Sequence, residues 1–444
     1  MIDGLNYTSA EIAKIVGGRL EGESAYIDSL SIDSREENMQ GACFFAIKGK
    51  NFNGASFASE AEKKGARLIV AQEKINACVP VIYVDDTRKA LGRLAKQRKG
   101  KTKVVGVTGS VGKTTVKDMI ISVLSQKYTT VGTPKNNNNE IGVSLTLLSL
   151  KSEDFCVLEM GMRGRGQIDW LSEISTPDTA VITNAGSAHI GLLGSEENIF
   201  LAKTEILNRT QRYAVLPMDE RFAKLDVKDL TKVLVGYDCD AFPTGIIHTK
   251  NGIRFNLGNI KNIEMSTVYD HNAYNSAFAY AVGRIYGLKD EEIKSGIIKF
   301  CPEKGRGNVL EIGGLTVIDD TYNASFEGVE ASLLSLVKFC KANEKIPSLI
   351  LGDILEQGAY ALENHTKLGQ LCRELGVEKL FVYGDASRWY LDGYGGGEKI
   401  DGFDDIVPII TKKLDKNYVL LVKASRALNF DKIIERMKNE NGKQ

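Results

Sequence analysis

A short glycine-rich segment, GSVGKTT at residues 109–115, places the strongest constraint on how this chain can fold. The residues before it, KVVGVT (103–108), form a β-branched apolar run that is typical of a buried strand. In residues 116–124, after it, apolar side chains recur every three or four positions, which predicts a helix with one buried face. The segment is therefore predicted to be the turn that connects a buried strand to a helix.

This turn differs from the strict phosphate-loop pattern G-x-x-x-x-G-K-[ST], because Val107 stands five positions before Gly112. The shorter form still places successive backbone N–H groups and a helix N-terminus where an anion can bind. Lys113 could then reach the β- and γ-phosphates, and the Thr114 hydroxyl could bind Mg²⁺. The alternative is a plain turn whose glycines only permit positive φ. The strand, the GKTT sequence and the helix together favour a phosphate loop.

The composition of the chain excludes several classes of protein. A length of 444 residues predicts two or three domains, and 57 basic against 57 acidic side chains leave no net charge for binding nucleic acid or a membrane surface. The seven cysteines include no C-x-x-C pair, which argues against a zinc ribbon or a disulfide scaffold. The sequence shows neither a signal peptide nor an apolar run long enough to span a bilayer, so we expect a cytoplasmic protein.

Three blocks follow one another along the chain. Residues 1–85 mix short strands and helices, and residues 86–302 contain the phosphate loop with a predicted parallel sheet. In residues 303–444, strands alternate with helices, which predicts a doubly wound, Rossmann-like sheet. The predicted fold class is therefore α/β, with a small N-terminal domain, a central nucleotide-binding domain and a C-terminal Rossmann-like domain.

Polar side chains follow several predicted strands of the third block. They are Asp320, Asp353 and the group Lys423, Ser425 and Arg426. In open α/β sheets, ligands bind outside the carboxyl ends of the strands. Helix capping is the alternative for the aspartates and serine, but it accounts poorly for two positive charges at one strand end. The third block is thus predicted to bind a ligand with this edge of its sheet.

Three residues of the middle block are candidates for metal or phosphate chemistry. Glu159 ends an apolar strand, where a phosphate-loop enzyme needs a carboxylate for Mg²⁺. His189 follows another strand, between two glycines, and the residues leave open whether it is a ligand or a structural histidine. Lys203 lies on an apolar predicted helix, and the pattern alone assigns it no role.

The order of these motifs resembles the Mur ligase family along essentially the whole chain. The segments that carry the resemblance are LSIDSRE (30–36), ACFFAIKGKNFNGASF (42–57), TGSVGKTT (108–115), NNNNEIGVSLTLL (136–148), LEMGMRGRGQI (158–168), TNAGSAHIG (183–191), AKTEI (202–206), IDDTYNAS (318–325), LGDILEQGAYALENHTKLG (351–369) and LVKASRAL (421–428). Ligases of this family extend the muramyl-peptide precursor of the bacterial cell wall. The outer blocks are most similar to the branch that adds D-alanyl-D-alanine to UDP-N-acetylmuramoyl-tripeptide.

Two alternatives stay open beside this resemblance. Folylpolyglutamate synthases share the ATP-binding segments but not LSIDSRE or DILEQG, and an assay with glutamate and folate would identify one. A nucleotide-dependent switch is the other alternative, although no guanine-reading N-K-x-D motif occurs in the chain.

The resemblance implies an ATP-dependent ligase that forms an acyl phosphate, with ATP and two Mg²⁺ ions as cofactors. It would be a monomer whose partners are the UDP-linked tripeptide and the dipeptide. The residues implied in ATP binding are Gly109, Ser110, Val111, Gly112, Lys113, Thr114, Thr115, Asn275, Arg306 and Asp320. Those implied in metal binding are Thr114, Glu159, His189 and Lys203, the last as a carbamate formed with CO₂.

The same resemblance implies catalytic and substrate-binding positions. The catalytic ones are Lys113, His189, Lys203 and Arg306. The substrate-binding ones are Ser31, Ser34 and Arg35 for the UDP part, Asn138 and Asn139 in a substrate loop, and Asp353, Lys423, Ser425 and Arg426 for the dipeptide.

Overall fold

The computed structural model describes residues 1–49, 52–134, 137–186, 193–236, 241–250 and 252–441, which form four sheets flanked by helices. The N-terminal part consists of β1 (Ile2–Thr8), α1 (Ser9–Val16), β2 (Arg19–Glu21), β3 (Tyr26–Ser31), β4 (Ala42–Phe45), α2 (Ala58–Lys63), β5 (Leu68–Ala71) and β6 (Val81–Tyr83). Its strands have the order β1-β3-β4-β5-β6-β2, in which the two outermost strands are antiparallel to their neighbours. The helix α3 (Thr87–Lys99) then leads into the middle part.

The middle part is built around a six-stranded, wholly parallel sheet of order β12-β11-β10-β7-β9-β8. Its elements are β7 (Lys103–Thr108), α4 (Lys113–Leu124), β8 (Thr130–Gly132), α5 (Glu140–Leu148), β9 (Phe155–Glu159), α6 (Gln167–Ser175), β10 (Thr179–Ile182), α7 (Glu196–Thr204), β11 (Tyr213–Pro217), α8 (Glu220–Lys224) and β12 (Thr231–Val235). The predicted strand, glycine turn and helix are confirmed as β7, residues 109–112 and α4.

A small antiparallel sheet follows, which was not predicted from the sequence. It consists of β13 (Pro243–Thr249), β14 (Gly252–Leu257) and β15 (Ile260–Met265), and precedes α9 (Asp270–Ile285) and α10 (Asp290–Lys299). Apolar residues of β14 and β15 share a core with α4 and α9, so this sheet covers one side of the nucleotide-binding layer.

The C-terminal part contains a six-stranded sheet of order β16-β17-β21-β18-β19-β20. Its elements are β16 (Asn308–Ile312), β17 (Leu315–Asp320), α11 (Phe326–Ala342), β18 (Ile346–Gly352), α12 (Ala361–Glu374), β19 (Lys379–Tyr383), α13 (Arg388–Tyr394), β20 (Glu398–Lys399), α14 (Ile406–Lys413), β21 (Tyr418–Lys423) and α15 (Asp431–Asn441). All neighbouring strands are parallel except β16, which is antiparallel to β17. The predicted α/β class and doubly wound third sheet are confirmed.

Apolar packing connects the three parts. Residues of α1, α3 and β7 belong to one buried cluster, and Val268 and Tyr269, which precede α9, are buried among apolar residues of the C-terminal part. The predicted boundaries near residues 85 and 302 fall between the main sheets, and the exact division stays a prediction. None of the helices in the described part of the chain is long and apolar enough to cross a membrane.

Candidate active site

The turn between β7 and α4 forms an anion site of main-chain groups. Gly112 adopts a left-handed conformation with φ of 81°, and α4 begins at Lys113 without a side-chain cap. The first N–H groups of a helix have no partner inside the helix, and the helix dipole adds positive potential there. The N-terminus of α4 can therefore bind a phosphate, as the sequence predicts.

Two residues after β10 hold the other half of this loop. The side-chain oxygen of Asn184 accepts hydrogen bonds from the N–H groups of Ser110 and Val111, both at 3.0 Å. The Thr183 hydroxyl donates to the Val111 carbonyl at 2.6 Å, and a Cβ on Gly109 would lie only 1.9 Å from that hydroxyl oxygen. The loop is thus a rigid arch whose Ser110 and Val111 N–H groups are already paired, which directs an anion to the helix end of the loop. The adjacency of β10 and β7 produces these contacts.

The Lys113 side chain lies across the same loop. Its Nζ donates to the carbonyl oxygens of Gly109 at 2.8 Å and Ser110 at 3.1 Å. Burial lowers the pKa of Lys113, although the carboxylate of Glu159 acts in the opposite direction. A triphosphate on the loop would offer this ammonium stronger, charged acceptors than two carbonyl groups.

Glu159, at the end of β9, is buried and touches the phosphate loop. Its Oε2 accepts the Thr114 hydroxyl at 2.6 Å, and its Oε1 accepts the Asn138 side-chain amide at 2.9 Å. A hydroxyl and a carboxylate are oxygen ligands of the kind that Mg²⁺ prefers. The donor set therefore fits a magnesium ion held by Thr114 and Glu159.

Arg306 reaches this centre from the segment between α10 and β16. Its Nη2 donates to the Thr114 hydroxyl at 3.0 Å, and its guanidinium carbon lies 3.7 Å from the ring centre of Tyr322. The buried Nε has no hydrogen-bond partner within the described ranges. Arg306 thus brings a fixed positive charge from the linker to the first turn of α4.

Asn275, on α9, lies on the other side of the loop. A Cβ on Gly112 would be 3.0 Å from its Oδ1, and its amide donates to Asn272 at 3.2 Å. Asn272 occupies the same face of α9 one turn earlier and was not predicted as a site residue from the sequence.

Lys203, on α7, is almost completely buried. It has no hydrogen bond or ion pair with another residue that the structure describes. Burial, together with the charge of Lys113, sets the pKa of Lys203 well below its ordinary value. The predicted ligand His189 lies outside the described residues, so its role stays a prediction. Among the residues that are described, no three His, Cys, Asp or Glu side chains gather as a metal cluster.

The predicted residues of the third block meet at the carboxyl ends of β17, β18 and β21. Lys423 Nζ donates to Asp320 at 2.5 Å, so a residue predicted for ATP and one predicted for the dipeptide form an ion pair. Ser425 donates its N–H to the Asp353 carbonyl at 3.2 Å. Arg426 is exposed and pairs with Asp431 at 3.2 Å. These side chains are polar and mostly buried, and they border the crevice that an open α/β sheet has outside the carboxyl ends of its strands. The ligand binding predicted for this crevice stays a prediction.

A cleft of about 510 Å³ separates the N-terminal part from β8 and α5. Ser31 lines it at the end of β3, and Asn137 lines it beside the residue that bonds Glu159. Ser34 is buried and accepts a hydrogen bond from Lys64 through its carbonyl. Arg35 is exposed, and its guanidinium and backbone N–H donate hydrogen bonds to the Asp33 carboxylate, which lower the pKa of that carboxyl to about 2.

Asn139 has a structural contact in this arrangement. Its side chain accepts the Gly142 N–H at 2.9 Å and caps α5. Its neighbour Asn138 instead donates a hydrogen bond to Glu159, so one asparagine caps a helix and the other contacts the proposed metal ligand. The substrate roles predicted for both stay predictions.

Known proteins are similar to this chain over nearly its full length. The sequence model of the Mur ligase middle domain matches residues 107–283, and that of the Mur ligase family catalytic domain matches residues 26–99. The chain is 32% identical to the UDP-N-acetylmuramoyl-tripeptide–D-alanyl-D-alanine ligase of Bacillus subtilis, over 96% of this chain and 97% of that protein.

Solved structures show the same architecture. MurF from Acinetobacter baumannii superposes with a TM-score of 0.90 at 27% identity, over 98% of this chain and 99% of that one. MurF from Thermotoga maritima, solved in complex with ADP, superposes with a TM-score of 0.85 at 28% identity, over 94% of this chain and 98% of that one. The three-part arrangement described above is thus shared with these enzymes.

Proposed function

This chain belongs to the Mur ligase family, and we propose that it joins D-alanyl-D-alanine to UDP-N-acetylmuramoyl-tripeptide with cleavage of ATP to ADP and phosphate. The product is the UDP-linked pentapeptide used in peptidoglycan synthesis. The observation that carries this function is the meeting of Glu159 and Arg306 on Thr114, together with full-length similarity to MurF enzymes.

The reaction follows from the chemistry of the two substrates. The terminal carboxylate of the tripeptide attacks the γ-phosphorus of ATP, an O–P bond forms, and ADP leaves as the bridging O–P bond breaks. The amine of D-alanyl-D-alanine then attacks the acyl carbon, loses a proton, and expels inorganic phosphate. Each step moves negative charge onto phosphate oxygens, so fixed positive groups nearby lower the barrier.

The residues of the site supply those groups. The first turn of α4 and Lys113 would hold the β- and γ-phosphates, and Arg306 would face the charge that develops during transfer. Thr114 and Glu159 would hold Mg²⁺, which when bound neutralises charge on the phosphates. Asn138 fixes the orientation of the Glu159 carboxylate, and Asn184 fixes the loop.

We further propose that Lys203 reacts with CO₂ to form a carbamate that helps to hold a second Mg²⁺. Only an unprotonated amine can attack CO₂, and burial favours that form of Lys203. The positive charge of Lys113 disfavours a protonated Lys203, whereas a negatively charged carbamate would be attracted to Lys113. Lys203→Ala should lose most activity and regain part of it with a small added carboxylate, whereas turnover like that of the unmodified enzyme would overturn the carbamate.

The cleft between the N-terminal part and α5 is the proposed position of the UDP-muramoyl part. It extends from the end of β3, at Ser31, to Asn137 beside the phosphate site, so one elongated substrate could reach both. The crevice with Asp353, Lys423, Ser425 and Arg426 is the proposed entry of the dipeptide. An enzyme that uses ATP and UDP-linked precursors is expected in the cytoplasm, and we propose a monomer, which light scattering would test.

The decisive experiment measures phosphate release from ATP and Mg²⁺ with D-alanyl-D-alanine and a UDP-muramoyl-tripeptide. Parallel reactions with lysine- and diaminopimelate-containing tripeptides would be analysed by mass spectrometry. A pentapeptide product confirms the ligase and identifies the preferred third residue. Binding of ATP with no product in either reaction would contradict the proposal and favour another acceptor, with folate and glutamate tested next.

A further inference from the structure

His365 occupies a buried position beside the proposed dipeptide crevice. It is the fifth residue of α12 and is completely shielded from solvent. Its Nε2 accepts the backbone N–H of Ile354 at 3.1 Å, and its Nδ1 contacts the Ala361 carbonyl oxygen at 2.6 Å. The ring packs against Tyr390 with ring centres 4.6 Å apart.

These two contacts determine the protonation state of the imidazole. A backbone N–H can only donate and a carbonyl oxygen can only accept, so Nδ1 must carry the proton and Nε2 must present its lone pair. His365 is therefore neutral with one defined tautomer. Burial lowers the pKa of His365 and outweighs the hydrogen bond to the Ala361 carbonyl and the charge of Asp353, which act in the opposite direction.

The segment that His365 holds contains a predicted substrate residue. Ile354 follows Asp353, whose Oδ2 accepts the Ala386 N–H at 3.1 Å and whose carbonyl accepts the Ser425 N–H at 3.2 Å. Leu355 N–H donates to the Ser425 hydroxyl at 2.9 Å. Three consecutive residues after β18 are thus held by side chains or backbone from three other segments.

Asp353 keeps one acceptor free within this arrangement. Its Oδ1 is buried and has no hydrogen-bond partner among the residues that the structure describes. A buried carboxylate oxygen without a donor carries an energetic cost, which a ligand donor can remove. The direction of this oxygen depends on the backbone of residues 353–355, and hence on the Ile354 hydrogen bond.

We propose that His365 is a positioning residue for the dipeptide, which as a neutral hydrogen-bond acceptor holds the Asp353 segment in its binding conformation. This inference rests on the proposed function, because it takes the crevice as the dipeptide site. The ligand that it concerns is a D-amino-acid dipeptide, whose ammonium group is the donor that suits a free carboxylate oxygen.

Protonation would reverse the role of His365. With a proton on Nε2, two donors would face each other, and the hydrogen bond from the Ile354 N–H would be lost. Residues 353–355 would then no longer be held by His365. The titratable groups that face the ring are Asp353 from the end of β18 and Tyr390 from α13, with Cys372 beyond Tyr390. Burial raises the pKa of Tyr390 well above its ordinary value and that of Cys372 to about 12, so both are neutral near pH 7.

The test compares KM values for D-alanyl-D-alanine, ATP and UDP-muramoyl-tripeptide in three variants. His365→Leu leaves the buried Ile354 N–H unpaired, and we expect its KM for the dipeptide to rise about tenfold with little change for ATP. His365→Gln keeps an acceptor that does not titrate, so its KM for the dipeptide at pH 8 should stay near that of the unmodified enzyme. Lys367→Ala, on the exposed face of α12, is the control and should change none of the three.

The pH profile separates positioning from simple stability. Between pH 8 and pH 5, protonation of the dipeptide amine affects every variant equally, so the ratio of the unmodified KM to the His365→Gln KM is the informative quantity. That ratio should rise as the pH falls below the ordinary histidine range. A constant ratio, or equal increases in KM for ATP and dipeptide in His365→Leu, would overturn the inference. Absence of ligation by the unmodified enzyme would instead contradict the proposed function.

Discussion

Arg306 Nη2 lies 3.0 Å from Thr114 Oγ1, so the linker before the C-terminal sheet touches the first turn of the nucleotide-binding helix. Thr114 also donates to Glu159, and the two contacts place a positive and a negative side chain on one hydroxyl. A change in the position of the C-terminal part would therefore move Arg306 relative to the proposed magnesium and phosphate site.

Arg306→Lys should lower kcat about a hundredfold, because a lysine lacks the planar fork that meets Thr114 while packing on Tyr322. Steady-state phosphate release with saturating substrates measures this. Arg284→Lys is the control, since Arg284 forms a surface ion pair with Asp290, away from the site. An unchanged kcat in Arg306→Lys would contradict the proposal that Arg306 stabilises the transition state.

Asn138 and Asn139 should respond differently to alanine. Asn138→Ala removes a partner of the Glu159 carboxylate, so the Mg²⁺ concentration for half-maximal activity should rise about tenfold. Asn139→Ala removes the α5 cap and should cost about 1 kcal/mol of stability without that shift. Magnesium titration and thermal unfolding of both variants provide the comparison, and equal magnesium shifts would contradict the assignment.

Lys203→Met should abolish ligation yet raise thermal stability near pH 7. The pKa of Lys203 is lowered by burial, so the folded protein binds fewer protons at this residue than the unfolded chain. Stability must then increase as the pH rises toward the ordinary lysine pKa, and methionine removes that dependence. Unfolding temperatures between pH 7 and 9.5, in buffer depleted of CO₂, measure the effect. A less stable Lys203→Met protein at pH 7 would contradict this account.

Asp270→Asn should weaken the contact between the middle and C-terminal parts at neutral pH. The Asp270 carboxylate accepts a hydrogen bond from His248 Nε2 at 2.7 Å and another from Lys338 of α11. Burial raises the pKa of Asp270, but the hydrogen bonds from His248 and Lys338 outweigh this and leave it lowered. A lowered carboxyl pKa stabilises the fold above the ordinary value and is lost as the pH falls through the folded value.

The measurement for Asp270→Asn is the midpoint of urea unfolding at pH 7 and at pH 3.5. The midpoint should be lower than that of the unmodified protein at pH 7, and the difference should shrink at pH 3.5. Asp290→Asn, which disrupts an exposed pair with Arg284, is the control and should have little effect. A difference that stays constant with pH would argue against the ion pairs as its source.

Features encoded in neighbouring residues could be predicted from the sequence. The buried strand β7, the turn at Gly112 and the helix α4 each depend on a local pattern of side chains, and all three are confirmed. The third sheet was also predictable, because strand–helix alternation leaves few other arrangements. The small sheet of β13–β15 was missed, because its three strands follow β12 with no helix in the described residues between them and so depart from the strand–helix alternation of the rest of this part.

The contacts within the site could not be predicted in the same way. Asn138 and Glu159 are 21 positions apart, Val111 and Asn184 are 73 apart, and Thr114 and Arg306 are 192 apart. Each contact depends on which strands become neighbours, as when β10 pairs with β7 and places Asn184 against the loop. The resemblance to a family indicated which residues matter, but not that Lys423 binds Asp320.

By itself, then, the sequence determined the strand, glycine turn and helix of the predicted phosphate loop and the α/β class, because strand and helix patterns are short-range properties of the chain. Its resemblance to a family supplied most of the candidate residues. Only the tertiary structure decided that Asn138 binds Glu159 while Asn139 caps a helix, and that His365 must be neutral. The physical reason is that a hydrogen bond requires its partners within about 3 Å. Sheet order and burial set that distance between residues far apart in the chain.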